Sequence, residues 1–173
     1  MDRLDSVLHA MFRLVVTNGL PGPSLRSVAR EAGISASGIV NHFEGAERMW
    51  TLAAHRWAAD RASSQIYVTE PTKVIALLAQ NADGVHDQAF DLALTVIGLG
   101  HPGVAAAMAD FRRSERERLA RVVPELGRRD LDLLVAVIEG LRFAMSLGEG
   151  ALSVERARAA LEQFVGELLT SAS

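Results

Sequence analysis

At 173 residues the chain is long enough to bury a sizeable core, either as one domain or as a small head on a larger body. Hydrophobic residues make up 49% and charged residues 23%, which excludes a disordered chain, and a net charge of −3 gives no global basic signature for nucleic acid. The absence of cysteine excludes a disulfide framework, thiolate catalysis and thiolate-bound metal.

The first ten residues, MDRLDSVLHA, carry acids and lack a long apolar run, so they do not read as a signal peptide. A first helix is expected over 2–18, with Leu4, Leu8, Met11, Phe12 and Val15 on one face. Asn18-Gly19 ends it, and Leu20-Pro21-Gly22-Pro23 forms a rigid connector. The stretch 24–43 then reads as two short helices around a tight turn. Ser24 caps the first, whose apolar stripe is Leu25, Val28, Ala29 and Ala32. Gly33 supplies the left-handed residue that ends it, and Ile34 plugs the gap between the helices. Ser35 caps the second, which turns Ile39 and Phe43 inward. From spacing alone, a helix-turn-helix and an ordinary corner between two helices fit this stretch equally well.

A fourth helix is expected over 46–68, with Met49, Trp50, Ala53, Ala54 and Trp57 facing inward, until Glu70-Pro71 breaks it. Five further apolar-periodic segments follow. The first, 72–82, carries Val74, Leu77 and Leu78, and the second, 85–99, carries Phe90, Ala93, Leu94 and Ile97. The third, 102–123, starts at Pro102 and carries Val104, Met108, Phe111, Leu119 and Val122. The fourth, 130–147, is capped by Asp130, and the last, 153–170, by Ser153. No segment shows sustained strand alternation, so the fold class is all-α with about nine helices. The uncharged run 92–109 has the length of a membrane span. Gly98, Gly100, His101, Pro102 and Gly103 interrupt it, so it reads as two helices and a turn, with no membrane contact and a cytoplasmic location.

Catalytic chemistry finds little support. The five histidines show no metal-ligand spacing, and there is no nucleophile elbow, phosphate-binding glycine loop or dinucleotide motif. No enzyme activity, metal or cofactor is therefore expected. The charge run 112–118 alternates in sign and reads as a solvated helix face. Asn81, His86, Thr95, Glu139 and Arg142 lie on or beside apolar faces. Buried charges are costly unless paired, so Glu139 and Arg142 must meet partners, face a cavity, or sit at the edge of the stripe in water.

Residues 11–50 resemble the N-terminal domain of the TetR family of bacterial transcriptional regulators. The resemblance is carried by Phe12, Asn18-Gly19, Ser24-Leu25-Arg26-Ser27-Val28-Ala29, Ala32-Gly33-Ile34-Ser35, Asn41-His42-Phe43 and Glu47, in register without a gap. It implies a three-helix helix-turn-helix head over 1–45 on an effector-binding and dimerisation body over 46–173, with 46–68 as connecting helix. It places DNA contacts on Arg26, Ser35, Ser37, Gly38, Asn41 and His42. The chain departs from the family's usual pattern at Gly38, Val40 and Ala46, where a Thr or Ser, a Tyr and a Lys are common. An effector pocket is expected around Phe90, Leu94, Phe111, Ile138, Glu139, Arg142 and Phe143, and a homodimer interface around Leu134, Leu141, Leu161, Phe164 and Leu168. The function implied is a repressor released from a palindromic double-stranded operator by a small apolar or amphipathic effector. The alternative is a dimer of the same architecture that binds a protein or ligand and no longer recognises specific DNA.

Overall fold

The computed structural model describes residues 3–19, 23–64, 74, 82–146 and 150–171. Among them are eight α-helices and no strand. In chain order these are α1 (Arg3–Asn18), α2 (Leu25–Glu31), α3 (Ala36–Phe43), α4 (Ala46–Ser64), α5 (Ala82–Gly98), α6 (Pro102–Val122), α7 (Arg128–Met145) and α8 (Val154–Ser171). The helix expected over 72–82 lies outside the described residues except for Val74, which is fully buried, and Ala82, which opens α5. The uncharged run does fold as two helices about the turn at Leu99–His101, and no described helix is long and apolar enough to cross a membrane.

Two compact units divide the chain. One comprises Met1–Ala62 with Ala89–Phe111, the other Ser63–Gln88 with Arg112–Ser173, so α5 and α6 each contribute to both. In the first unit, α1 buries Val7, Ala10, Met11 and Val15 at helical spacing. They share one core with Val28, Ile39, Phe43, Met49, Trp50, Phe90, Val104 and Phe111. Phe12, Trp57 and Phe90 form an aromatic cluster with ring centroids 5.0–6.4 Å apart. Gly103 lies so close to α4 that a Cβ there would collide with the Thr51 side chain.

The second unit is built on α7 and α8, whose buried residues Leu131, Leu134, Ile138, Met145, Ala157, Leu161 and Val165 pack with Leu119, Val122 and Val123 of the α6 end. Ser153 caps α8 as expected, its Oγ accepting the Arg156 N–H at 3.3 Å. A backbone hydrogen bond and the Ser153 hydroxyl together hold the Glu155 carboxyl below its ordinary range. Asp130 does not cap α7. The helix starts two residues earlier, with Gly127 as its N-cap and no side-chain cap bond. Asp130 instead lies in the first turn, where its charge still complements the helix dipole.

Candidate nucleic-acid interface

The helix-turn-helix geometry follows from its capping residues. Ser24 is extended (φ −72°, ψ 156°), and its Oγ accepts the Ser27 N–H at 3.2 Å. The Ser27 hydroxyl donates back to the Ser24 carbonyl at 2.8 Å. At the other end of α2 the chain turns through Gly33 (φ +68°), and the Ile34 N–H returns to the Ala29 carbonyl at 2.9 Å. These are the backbone bonds that close a glycine-terminated helix. Ser35 then caps α3, accepting the Gly38 N–H at 2.9 Å. A Cβ at position 38 would sit 2.9 Å from that Oγ and 3.1 Å from Ile34 Cγ2, so glycine here leaves room for the cap itself.

Val28, Ala29, Ile39 and Phe43 are buried, which fixes the faces that α2 and α3 turn outward. Arg26, Ser35, Ser37, Asn41 and His42 are all exposed, and Gly38 is half-buried among them. At about 100° per residue, Asn41 points almost directly away from the Ile39–Phe43 face, with Ser37 and Gly38 on either side of it. His42 sits on the flank, its ring edge-on to Phe43 at 4.7 Å.

The arginines of this unit sort themselves by partner. Arg13 pairs with Glu31 at 2.7 Å, Arg48 with Glu44 at 3.5 Å, and Arg56 with Asp5 and Asp60 at 3.3 and 3.1 Å. Arg26 and Arg30 have no ion pair among the described residues. Both are exposed, and their i, i+4 spacing places two like charges side by side on α2. Such a pair weakens a helix unless an anion outside the chain neutralises it. Arg30 is a functional candidate outside the contacts that the family resemblance implies, and its i, i+4 spacing to Arg26 is the sequence signal for it.

Glu44, the C-cap of α3, adopts the left-handed conformation (φ 59°, ψ 26°), and Gly45 follows at φ +120°. A glutamate held there is unusual, and it adds negative charge to the end of the outward face.

The residues expected to line an effector pocket are placed differently from one another. Phe90, Leu94 and Phe111 are buried in the core of the first unit. Ile138 belongs to the core of the second, and Phe143 is half exposed at 50%. Glu139 and Arg142 meet partners. Arg142, only 4% exposed, makes a bidentate contact with Glu115 at 2.6 and 3.1 Å and a further bond to Glu139 at 3.0 Å. Arg112 completes the ring, 3.3 Å from Glu139 and 3.8 Å from Glu115. The expectation of a wholly solvated 112–118 face is therefore corrected, because Arg112 and Glu115 turn inward to neutralise Glu139 and Arg142. Thr95 is exposed and bonds the Asp91 carbonyl at 3.0 Å, and Asn81 and the His86 side chain lie outside the described residues. On α5, Gln88 and Asp91 are buried polar residues without a sequence signal, and neither amide atom of Gln88 has a hydrogen-bond partner among the described residues.

Of the residues expected at a subunit interface, Leu134 and Leu161 are fully enclosed by their own chain, whereas Leu141, Phe164 and Leu168 are partly buried. The exposed apolar face of α7 is instead Leu133, Ala136, Gly140 and Phe143, recurring at helical spacing. No group of three or more potential metal ligands occurs among the described residues.

No protein-family model matches the sequence, and no curated protein matches it either. Solved structures do. A transcriptional regulator from Rhodococcus sp. Rha1 superposes with a TM-score of 0.86 at 21% identity, over 97% of this chain and 96% of that one. A member of the TetR family from Streptomyces coelicolor A3 gives 0.68 at 21% identity, over 95% and 98%. The multidrug binding protein EbrR, complexed with malachite green, gives 0.67 at 19% identity, over 95% and 98%. The chain thus has the all-helical fold of TetR-family regulators over nearly its whole length.

Proposed function

We propose that the chain is a TetR-type DNA-binding transcriptional regulator: a cytoplasmic homodimer that represses from a palindromic operator and is released by a small apolar or amphipathic effector. The observation that carries this reading is the outward face of the helix-turn-helix. Ser37, Asn41 and His42 offer hydrogen-bonding groups of the kind that read base edges, beside two exposed arginines with no ion pair among the described residues. The fold likeness to structures described as transcriptional regulators supports the same reading. EbrR, of the same fold, is known with malachite green, ethidium and proflavin, which supports an amphipathic effector held within 46–173.

The DNA contacts proposed are Arg26, Arg30, Ser35, Ser37, Gly38, Asn41 and His42. Arg26 and Arg30 contact phosphates and set the register, while Asn41 reads a base edge. Ser35 contributes chiefly by holding the first turn of α3, since its hydroxyl already accepts the Gly38 N–H. Fluorescence anisotropy on duplex DNA at several salt concentrations tests the assignment. Arg26→Ala and Arg30→Ala should each weaken binding to every sequence and lower the salt slope by about one. Asn41→Ala should relax preference at one base pair instead. Unchanged slopes in both arginine variants would remove α2 from the interface.

A second reading, in which the dimer binds a ligand or protein and not DNA, is favoured by Glu44. Its charge stands at the end of α3, next to the position where Ala46 replaces the lysine common in the family. A wild type that shows no site preference even at low salt, together with effector binding that raises the melting temperature, would support it.

A further inference from the structure

Resting on the DNA-recognition reading above, we propose that Val40 is a specificity-determining residue that reads the methyl group of a thymine in each half-site. Val40 is 45% exposed on α3 and adjoins Asn41, on the flank between the inward and outward faces of the helix. The inward positions of α3 are filled by Ile39 and Phe43, so Val40 has no place in the chain's own core. Taking about 100° per residue, it projects from the flank shared with Ser37, roughly 100° round from Asn41. A side chain there meets the wall of a major groove when Asn41 faces its floor.

What each residue can read then follows from its chemistry. Valine has no donor or acceptor and cannot hold a phosphate or a base edge by hydrogen bonding. The apolar group that the major groove displays is the C5-methyl of thymine. Asn41 can pair bidentately with an adenine through N6 and N7. Adjacent residues on one helix reading an adenine and a thymine methyl predict a half-site with an A·T pair at the Asn41 position and a thymine at or beside it. Arg26 and Arg30 on α2 supply the charge complementarity that brings this face to DNA. Guanine and cytosine present no methyl in the groove, so the contact discriminates against them without any hydrogen bond.

The test uses the site that the full-length protein selects from random duplex DNA, with each thymine in turn replaced by deoxyuridine, which removes only the methyl group. One thymine per half-site should then weaken wild-type binding about fourfold, the effect of leaving one methyl group unburied. Val40→Ala should bind the thymine-containing site about fourfold more weakly per half-site and be indifferent to the uracil substitution. Val40→Thr, which keeps a methyl group, should retain the dependence. Because Val40 lies outside the core and alanine favours helix, Val40→Ala should keep the wild-type melting temperature. A selected site in which no thymine methyl matters, or in which uracil weakens Val40→Ala as much as wild type, overturns this inference and leaves the DNA reading intact. If the wild type selects no site at all, both fall together.

Discussion

At the residue scale, Glu44 and Val40 show what local pattern conceals. Gly33 could be read as left-handed from its place after an apolar stripe, and its φ of +68° agrees. Nothing in the sequence marks Glu44 as the next left-handed residue, because that conformation is penalised for glutamate. Glu44→Gly should therefore stabilise the protein by about 0.5–1 kcal/mol in urea unfolding, through relief of backbone strain. The opposing loss is small. The Arg48–Glu44 pair is mostly exposed at 61% and 71% and spans 3.5 Å, so solvent screening leaves it worth at most a few tenths of a kcal/mol. The same change releases Arg48 and removes a negative charge beside the DNA face, so affinity should rise at low salt. A destabilised Glu44→Gly would mean that the ion pair, not the strain, dominates.

At the element scale, the caps were legible and the charge pairing was not. Ser24 and Ser35 announced α2 and α3 because a capping side chain acts within three residues. Ser35→Ala should cost about 1 kcal/mol and fray the first turn of α3, which amide exchange at Gly38 would report. Glu139 and Arg142 announced a need for partners, but their partners on α6, Arg112 and Glu115, each lie 27 residues away within an alternating run that any solvated helix could carry. Arg142→Ala removes the 2.6 and 3.1 Å contacts to the buried Glu115 carboxylate and leaves it the longer contact to Arg112 at 3.8 Å, so it should destabilise by about 3–5 kcal/mol. Replacing both as Arg142→Met with Glu115→Leu should recover much of that loss, because a well-packed apolar pair avoids the desolvation penalty. Equal losses in the single and double variants would contradict this account. Gly103 makes a similar point for packing. Gly103→Ala should cost about 1–3 kcal/mol by overpacking against Thr51, and Thr51→Ala should relieve part of it in a double-mutant cycle.

At the scale of the whole molecule, the helical class and the order of elements were visible in apolar periodicity, while the grouping of helices was not. Phe12 of α1 and Phe90 of α5 lie in one aromatic cluster although nearly eighty residues separate them, and no local pattern signals that meeting. The same limit affected the proposed dimer. Leu134 and Leu161 fit an interface by periodicity, but periodicity cannot distinguish a chain's own core from a partner's surface. The exposed α7 face of Leu133, Ala136, Gly140 and Phe143 is the better candidate for association with a second copy. Leu133→Glu with Phe143→Glu should give a folded monomer by light scattering and circular dichroism, whereas Leu161→Glu should unfold the chain. A dimeric double variant would remove this face from consideration.

The central claim is sequence-specific DNA recognition by α3, and selection from random duplex DNA at low salt tests it most directly. The account predicts enrichment of a palindrome whose half-sites place two recognition helices about 34 Å apart, or a multiple of that, along the duplex. It also predicts that the Arg26→Ala, Arg30→Ala double variant loses affinity while any site it still selects keeps the same sequence. A wild-type pool no more enriched than one carried through without protein would contradict the claim.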